Sequence, residues 1–171
     1  YLEEHRDKPF ILCEYTHAMG NSNGAMHKYT EYAYEEPLYQ GGFIWDFIDQ
    51  SIRVKDRYGK DAYFYGGDFG ERPADWDFSC NGIVFGDGSE SPKMQEVKYN
   101  YQSVFADVSR DSVTIRNHSL FTSTAAWRCV ATLSRDGREI ARREIKTDVA
   151  PGETATLPLP FPEQTRGGQY T

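Results

Sequence analysis

Glu14 closes an apolar run, Phe10-Ile11-Leu12-Cys13, and is followed by His17 and then by the turn-forming Gly20-Asn21-Ser22. A glutamate is rarely buried without a partner, so this carboxylate is expected to open into a polar cleft. There it can serve as a nucleophile; position alone equally allows a structural ion pair at a strand tip. Tyr15 and His17 are the neighbours expected to share that cleft, although His17 also fits a strand-end imidazole satisfied by backbone. Cys13 and His17 do not make a metal pair, because a strand end does not bring residues i and i+4 together. Trp45 sits in a second apolar run, where an indole is either core or an apolar face whose polar edge needs a partner. Asn81 precedes Gly82, which by itself reads as a turn. Asp46, Asp49, Asp68, Glu71 and Asp87 are further acids that could orient neighbours or bind hydroxyls, and no role is assigned to them.

The elements around these residues read as α/β in the first part of the chain. Pro9 and Gly20 bound a run with the character of a strand buried on both faces. Such strands belong to helix-covered sheets, where ligands sit at the carboxyl ends. A helix is expected over 25–36, capped by Ser22 or Asn23, with Met26, Tyr29, Tyr32 and Ala33 on one face and Pro37 as its stop. Gly41-Gly42 then leads into a second buried strand over 43–49. Strand, helix, strand in this order is a βαβ unit. Residues 51–88 are glycine-rich and irregular, which argues for a functional loop. Within it, Asp56-Arg57-Tyr58-Gly59 is expected to turn a hairpin carrying Ile52, Val54, Tyr63 and Tyr65. A last helix is expected over 93–105, opened by Ser91-Pro92, with Met94, Val97, Tyr101 and Val104 on one side. From 107 onward the pattern is all-β: short β-branched runs with turns at 134–137 and 150–152, as in an immunoglobulin-like sandwich. The boundary is placed near 106, giving an α/β part over 1–106 and a sandwich over 107–171, both apparently incomplete. Gly167-Gly168-Gln169-Tyr170-Thr171 has the look of the start of a strand.

Composition narrows the partners. The 171 residues have room for one ordinary domain or two small ones, and the formal net charge is −7. Phosphate binding needs a basic footprint, so a nucleic-acid partner is not expected. No apolar run approaches membrane-spanning length, so no membrane partner is expected either. Aromatic residues make up 15% of the chain, with 12 Tyr and 10 Phe; they can build a core or offer flat faces to sugar rings. Three cysteines, Cys13, Cys80 and Cys129, are too few and too widely spaced for a disulfide framework or a zinc knuckle, and Cys13 and Cys80 are expected to be buried thiols. Asn117-His118-Ser119 fits a glycosylation sequon, a pattern that also arises by chance. The charged amino terminus, without an initiator methionine, resembles neither a signal peptide nor an anchor, so the chain reads as cut from something longer and its compartment is not legible.

Four blocks carry a family resemblance: Ile11-Leu12-Cys13-Glu14-Tyr15-Thr16-His17-Ala18-Met19-Gly20-Asn21-Ser22; Gln40-Gly41-Gly42-Phe43-Ile44-Trp45-Asp46-Phe47-Ile48-Asp49-Gln50; Tyr65-Gly66-Gly67-Asp68-Phe69-Gly70; and Phe78-Ser79-Cys80-Asn81-Gly82. In this order, across residues 8–105, they closely resemble the β-galactosidases of glycoside hydrolase family 2. The resemblance implies the last β/α units of a (β/α)8 barrel followed by the sandwich, acting on terminal β-galactosides with retention. It implies that Glu14 is the nucleophile, that His17 contacts the galactose hydroxymethyl group, and that Trp45 forms an apolar wall against the sugar. Asn81 would contact the sugar and, with the Phe78 carbonyl, bind sodium; magnesium is expected only through ligands outside this chain.

A retaining glycosidase holds two carboxyl groups about 5–5.5 Å apart, one attacking and one protonating the leaving oxygen. In the family the second lies in an Asn-Glu dipeptide, and this chain has none. The acid/base is therefore expected upstream, the isolated chain is expected to be inactive, and the remainder of the polypeptide becomes its first partner; a homo-oligomer is left open. Two departures stand out: Thr16 where alanine is common, and Trp76 where a polar residue is common, which could shape an aglycone subsite. The rival readings are a non-catalytic carbohydrate-binding module and a β-glucuronidase or β-mannosidase of the same family.

Overall fold

The structure is a computed structural model that describes residues 2–171. It divides into two units, one ending at Tyr101 and one spanning Gln102–Thr171.

In the first unit, β1 (Phe10–Tyr15) runs parallel to β2 (Tyr39–Ile44), with α1 (His27–Thr30) and α2 (Tyr32–Glu35) in the crossover. The expected βαβ unit is present, with three corrections. The helix is two short pieces rather than one, and Met26 holds the N-cap position with no side-chain cap. Asn23 and Ala25 lie at φ +65° and +58°, so the chain is still turning where the helix was expected to start. The second strand lies earlier than expected, at 39–44. Gly42 makes this possible: a Cβ there would stand 2.8 Å from the Leu12 Cβ, so the parallel strands meet closely only over bare backbone.

The strands are not buried on both faces. Leu12 and Ile44 pack against a core of Tyr15, Ala18, Met26, Ile83 and Val97, whereas Ile11 and Phe43 are 56% and 65% exposed. A two-stranded parallel pair has one covered face here, and the other carries its side chains outward. Tyr29 and Tyr32, expected in the core, are exposed and reach it only by their rings, 5.0 Å from Tyr15 and 5.3 Å from Tyr39. Cys13 is exposed and Cys80 partly so, against the expectation of buried thiols.

The hairpin forms as expected from β3 (Ile52–Lys55) and β4 (Asp61–Phe64), in register Ile52 opposite Phe64. Asp56 organises its turn, accepting the Tyr58 and Lys60 N–H groups at 2.8 and 2.9 Å. The last helix, α3 (Met94–Asn100), is shorter than the expected 93–105. Lys93 is its N-cap, and Ser91 instead donates its hydroxyl to the Ile83 carbonyl at 2.8 Å. Tyr101 is exposed and Val104 belongs to a strand, so neither extends the apolar face of α3.

The second unit is all-β. A sheet of order β5 (Val104–Val108), β6 (Ser112–Asn117), β9 (Thr154–Pro158) accompanies a hairpin of β7 (Cys129–Arg135) and β8 (Arg138–Ile145). Asp136 and Gly137 both have positive φ, +51° and +75°, the two-residue turn whose twist suits a hairpin. Val113, Ile115 and Val149 form the core, with Val104, Ile145, Ala155 and Leu157 against it. Tyr170 bridges to Arg135, so the final residues do begin to pair with β7. Asn117 is fully buried and its amide nitrogen donates to the Thr122 and Val149 carbonyls, both at 2.9 Å, so the sequon is structural in this fold. Among the described residues no helix is long and apolar enough to cross a membrane.

Candidate active site

Glu14 is the penultimate residue of β1, and an irregularity in the strand decides where it points. Strict alternation would place Leu12 and Glu14 on the same, core-facing side. Leu12 pairs with Gly42 and Tyr15 with Ile44, so β1 spends three residues where β2 spends two. The extra residue reverses the facing, as a bulge does: Tyr15 enters the core and Glu14 is exposed. Among the described residues the Glu14 carboxylate takes part in no hydrogen bond or ion pair. Tyr15 was expected in the cleft and is not there. Its hydroxyl bonds to that of Tyr101, and burial, then this bond, raises its pKa well above the usual tyrosine value.

Backbone bonds tie the Glu14 tip to the second strand. The Trp45 N–H donates to the Tyr15 carbonyl at 3.4 Å, and the Ala18 N–H to the Trp45 carbonyl at 2.7 Å. Lys93 Nζ fixes the same loop through the Ala18 carbonyl at 2.6 Å. His17 lies between these anchors, partly buried, its ring 5.7 Å from that of Phe78. Trp45 is 40% exposed and absent from the core, so its indole is available as a surface.

The segment after the short 3-10 turn Trp76–Ser79 runs alongside residues 46–50. The Asp46 N–H donates to the Asn81 carbonyl at 2.9 Å, Ile83 N–H to the Asp46 carbonyl at 3.0 Å, and Gln50 N–H to the Ser79 carbonyl at 2.9 Å. Gly82 N–H donates to Asp49 Oδ1 at 2.8 Å, giving that acid a structural role. Thus the structure brings the loop after Glu14 next to Trp45, brings His17 against Phe78, and brings Asn81 against Asp46.

Asn81 is 1% exposed, and neither its Oδ1 nor its Nδ2 has a partner; Asp46 Oδ1 is likewise buried and unpartnered. Asp46 Oδ2 accepts from Gln50 Nε2 at 3.0 Å. Buried polar atoms are normally hydrogen-bonded, so the two oxygens are groups that a bound hydroxyl or cation would satisfy, and the Nδ2 donor one that a bound hydroxyl would. Oxygen donors of this kind suit a hard cation, and Asn81 Oδ1 therefore fits the sodium expectation. Among the described residues no three His, Cys, Asp or Glu side chains converge as a metal site. Sequence reasoning left Asp46 without a role; its only signal was an acid directly after the tryptophan of an apolar run.

The family model described as "Glycosyl hydrolases family 2, TIM barrel domain" matches residues 1–106, and "Beta-galactosidase, domain 4" matches 113–171. A β-galactosidase of Halalkalibacterium halodurans is 50% identical over 172 residues, covering 99% of this chain and 17% of that protein. One from Clostridium acetobutylicum is 45% identical over 169 residues, covering 96% of this chain and 19% of its own length. One from Streptococcus thermophilus is 47% identical over 154 residues, covering 90% and 15% respectively. The chain thus spans less than a fifth of the length of these curated relatives.

Proposed function

Because the chain belongs to the glycosyl hydrolases of family 2, we propose that it forms part of a longer retaining β-galactosidase and supplies its nucleophile, Glu14. On this reading residues 1–106 are the last β/α units of a (β/α)8 barrel, and the all-β unit is an incomplete immunoglobulin-like sandwich. The observation that carries it is an exposed, unpaired carboxylate at a strand tip whose following loop is bonded to Trp45 and holds His17 against Phe78. Outward-facing Ile11, Phe43 and Phe47 support the longer polypeptide, since parallel sheets are covered on both faces.

In the first step a Glu14 oxygen attacks the anomeric carbon and the bond to the aglycone oxygen breaks. A carboxylic acid from the rest of the polypeptide gives that oxygen its proton. In the second step water attacks the galactosyl ester, its proton returns to the same carboxylate, and Glu14 is released. Trp45 would pack an apolar face against the sugar, His17 would bond the hydroxymethyl group, and Asn81 a ring hydroxyl. Sodium, when bound at Asn81 Oδ1 and the Phe78 carbonyl, would supply a fixed positive charge for sugar oxygens.

Replacing Glu14 by Gln in the intact enzyme keeps the shape and removes the nucleophile. Turnover should be abolished while galactoside binding persists within a few-fold; undiminished turnover would leave the carbohydrate-binding reading in its place. The isolated chain lacks a proton donor for the leaving group, an effect worth roughly 10²–10⁴ in rate.

A further inference from the structure

We propose that Lys93 is a positioning residue, setting the His17 imidazole for the hydroxymethyl group of the bound sugar; this rests on the function proposed above. Lys93 occupies the N-cap of α3, where its side chain does nothing for the helix. It has no acceptor to offer the free N–H groups of the first turn, and a cation at that end opposes the helix dipole. Its ammonium reaches instead to the Ala18 carbonyl, 75 residues away in the chain. Ala18 is fully buried, in a core with Tyr15, Met26, Ile83 and Val97. A carbonyl in such surroundings needs a partner, and Lys93 Nζ supplies it at 2.6 Å. The Ala18 N–H is committed as well, to the Trp45 carbonyl at 2.7 Å.

The start of α3 is itself anchored. Ser91 gives both its N–H and its hydroxyl to the Ile83 carbonyl, at 3.2 and 2.8 Å, and the Ile83 N–H donates to the Asp46 carbonyl at 3.0 Å. Lys93 therefore reaches the His17 loop from a segment bonded to the chain just after Trp45. On the other side of His17, Tyr15 is buried and its carbonyl accepts the Trp45 N–H at 3.4 Å. Between these fixed points Thr16 sits at φ +46°, which a β-branched residue takes only where its surroundings impose it. Loss of the ammonium frees the Ala18 carbonyl to turn toward another donor, and the imidazole moves with that stretch of backbone. Glu14, ahead of Tyr15 in β1, keeps its place. Hydrogen bonds weaken steeply with misalignment, so the contact from His17 to the sugar is the one that suffers.

The test compares two nitrophenyl glycosides in the intact enzyme: the β-D-galactopyranoside and the α-L-arabinopyranoside, which is the same ring without its hydroxymethyl group. Lys93→Met should lower the ratio of kcat/KM for galactoside over arabinoside by roughly three- to tenfold, the worth of one hydrogen bond. That ratio does not depend on how much of a variant is folded. Lys93→Gln, with a shorter and uncharged donor, should lower it less. His17→Ala should lower it too, and adding Lys93→Met to His17→Ala should lower it no further, because both act on one contact. An unchanged ratio or equal losses on both substrates in the two Lys93 variants, or a full additional drop in the double variant, overturns the positioning role. A Glu14→Gln enzyme that still cleaves the galactoside removes the proposed function itself, and the role of Lys93 with it.

Discussion

Glu14 and Tyr15 are adjacent in one strand and do opposite things, and the extra residue of β1 is the reason. The carboxylate faces solvent while the phenol is buried and bonded to Tyr101. Tyr15→Phe keeps the packing and deletes that bond, which should cost about 1 kcal/mol of stability. Burial holds Tyr15 protonated beyond the pH at which an unfolded tyrosine ionises, about 10. The unfolded chain then releases a proton that the folded chain keeps, so wild-type stability falls as pH rises above that value. Denaturant titrations of the intact enzyme at neutral pH and at pH 10.5 should show a smaller decline for Tyr15→Phe than for wild type. An equal decline would mean that Tyr15 does not carry the effect.

At the scale of elements, the site depends on residues 79–84 lying flat against 46–50. Gly82 permits this: a Cβ there would stand 2.3 Å from the Asp49 nitrogen and 2.4 Å from the Val84 carbonyl oxygen. Both neighbours are backbone and cannot step aside, so Gly82→Ala should cost about 3 kcal/mol, the upper end for overpacking. Amide exchange should locate the loss in residues 46–50 and 79–84; protection unchanged there would contradict it. This pairing was not legible in the sequence, because it joins segments thirty residues apart through backbone groups that carry no residue signature. The hairpin was legible, since Asp56 and Gly59 are turn residues with local consequences. The βαβ order was legible too, but not its details. Gly41-Gly42 reads as a lead-in to a strand and is instead the part of β2 that Leu12 approaches, while the β1 irregularity turns an alternation argument upside down. His17 and Asn81 could be singled out by type, but the ring of Phe78 that meets the first and the Asp46 backbone that bonds the second could not.

For the whole molecule, the central claim is that one solvent-facing carboxylate in this chain attacks the anomeric carbon of a galactoside, with the rest of the polypeptide supplying the proton. The unpaired Glu14 and the apolar side chains on the outer face of the β1–β2 pair are the two halves of that claim, one chemical and one architectural. Its most direct test is to trap the ester. A 2-deoxy-2-fluoro-β-galactoside with a good leaving group, incubated with the intact enzyme and followed by peptide mass spectrometry, should leave the fluorosugar on Glu14 with matching loss of activity. A label on any other carboxylate, with Glu14 unmodified, would contradict the account.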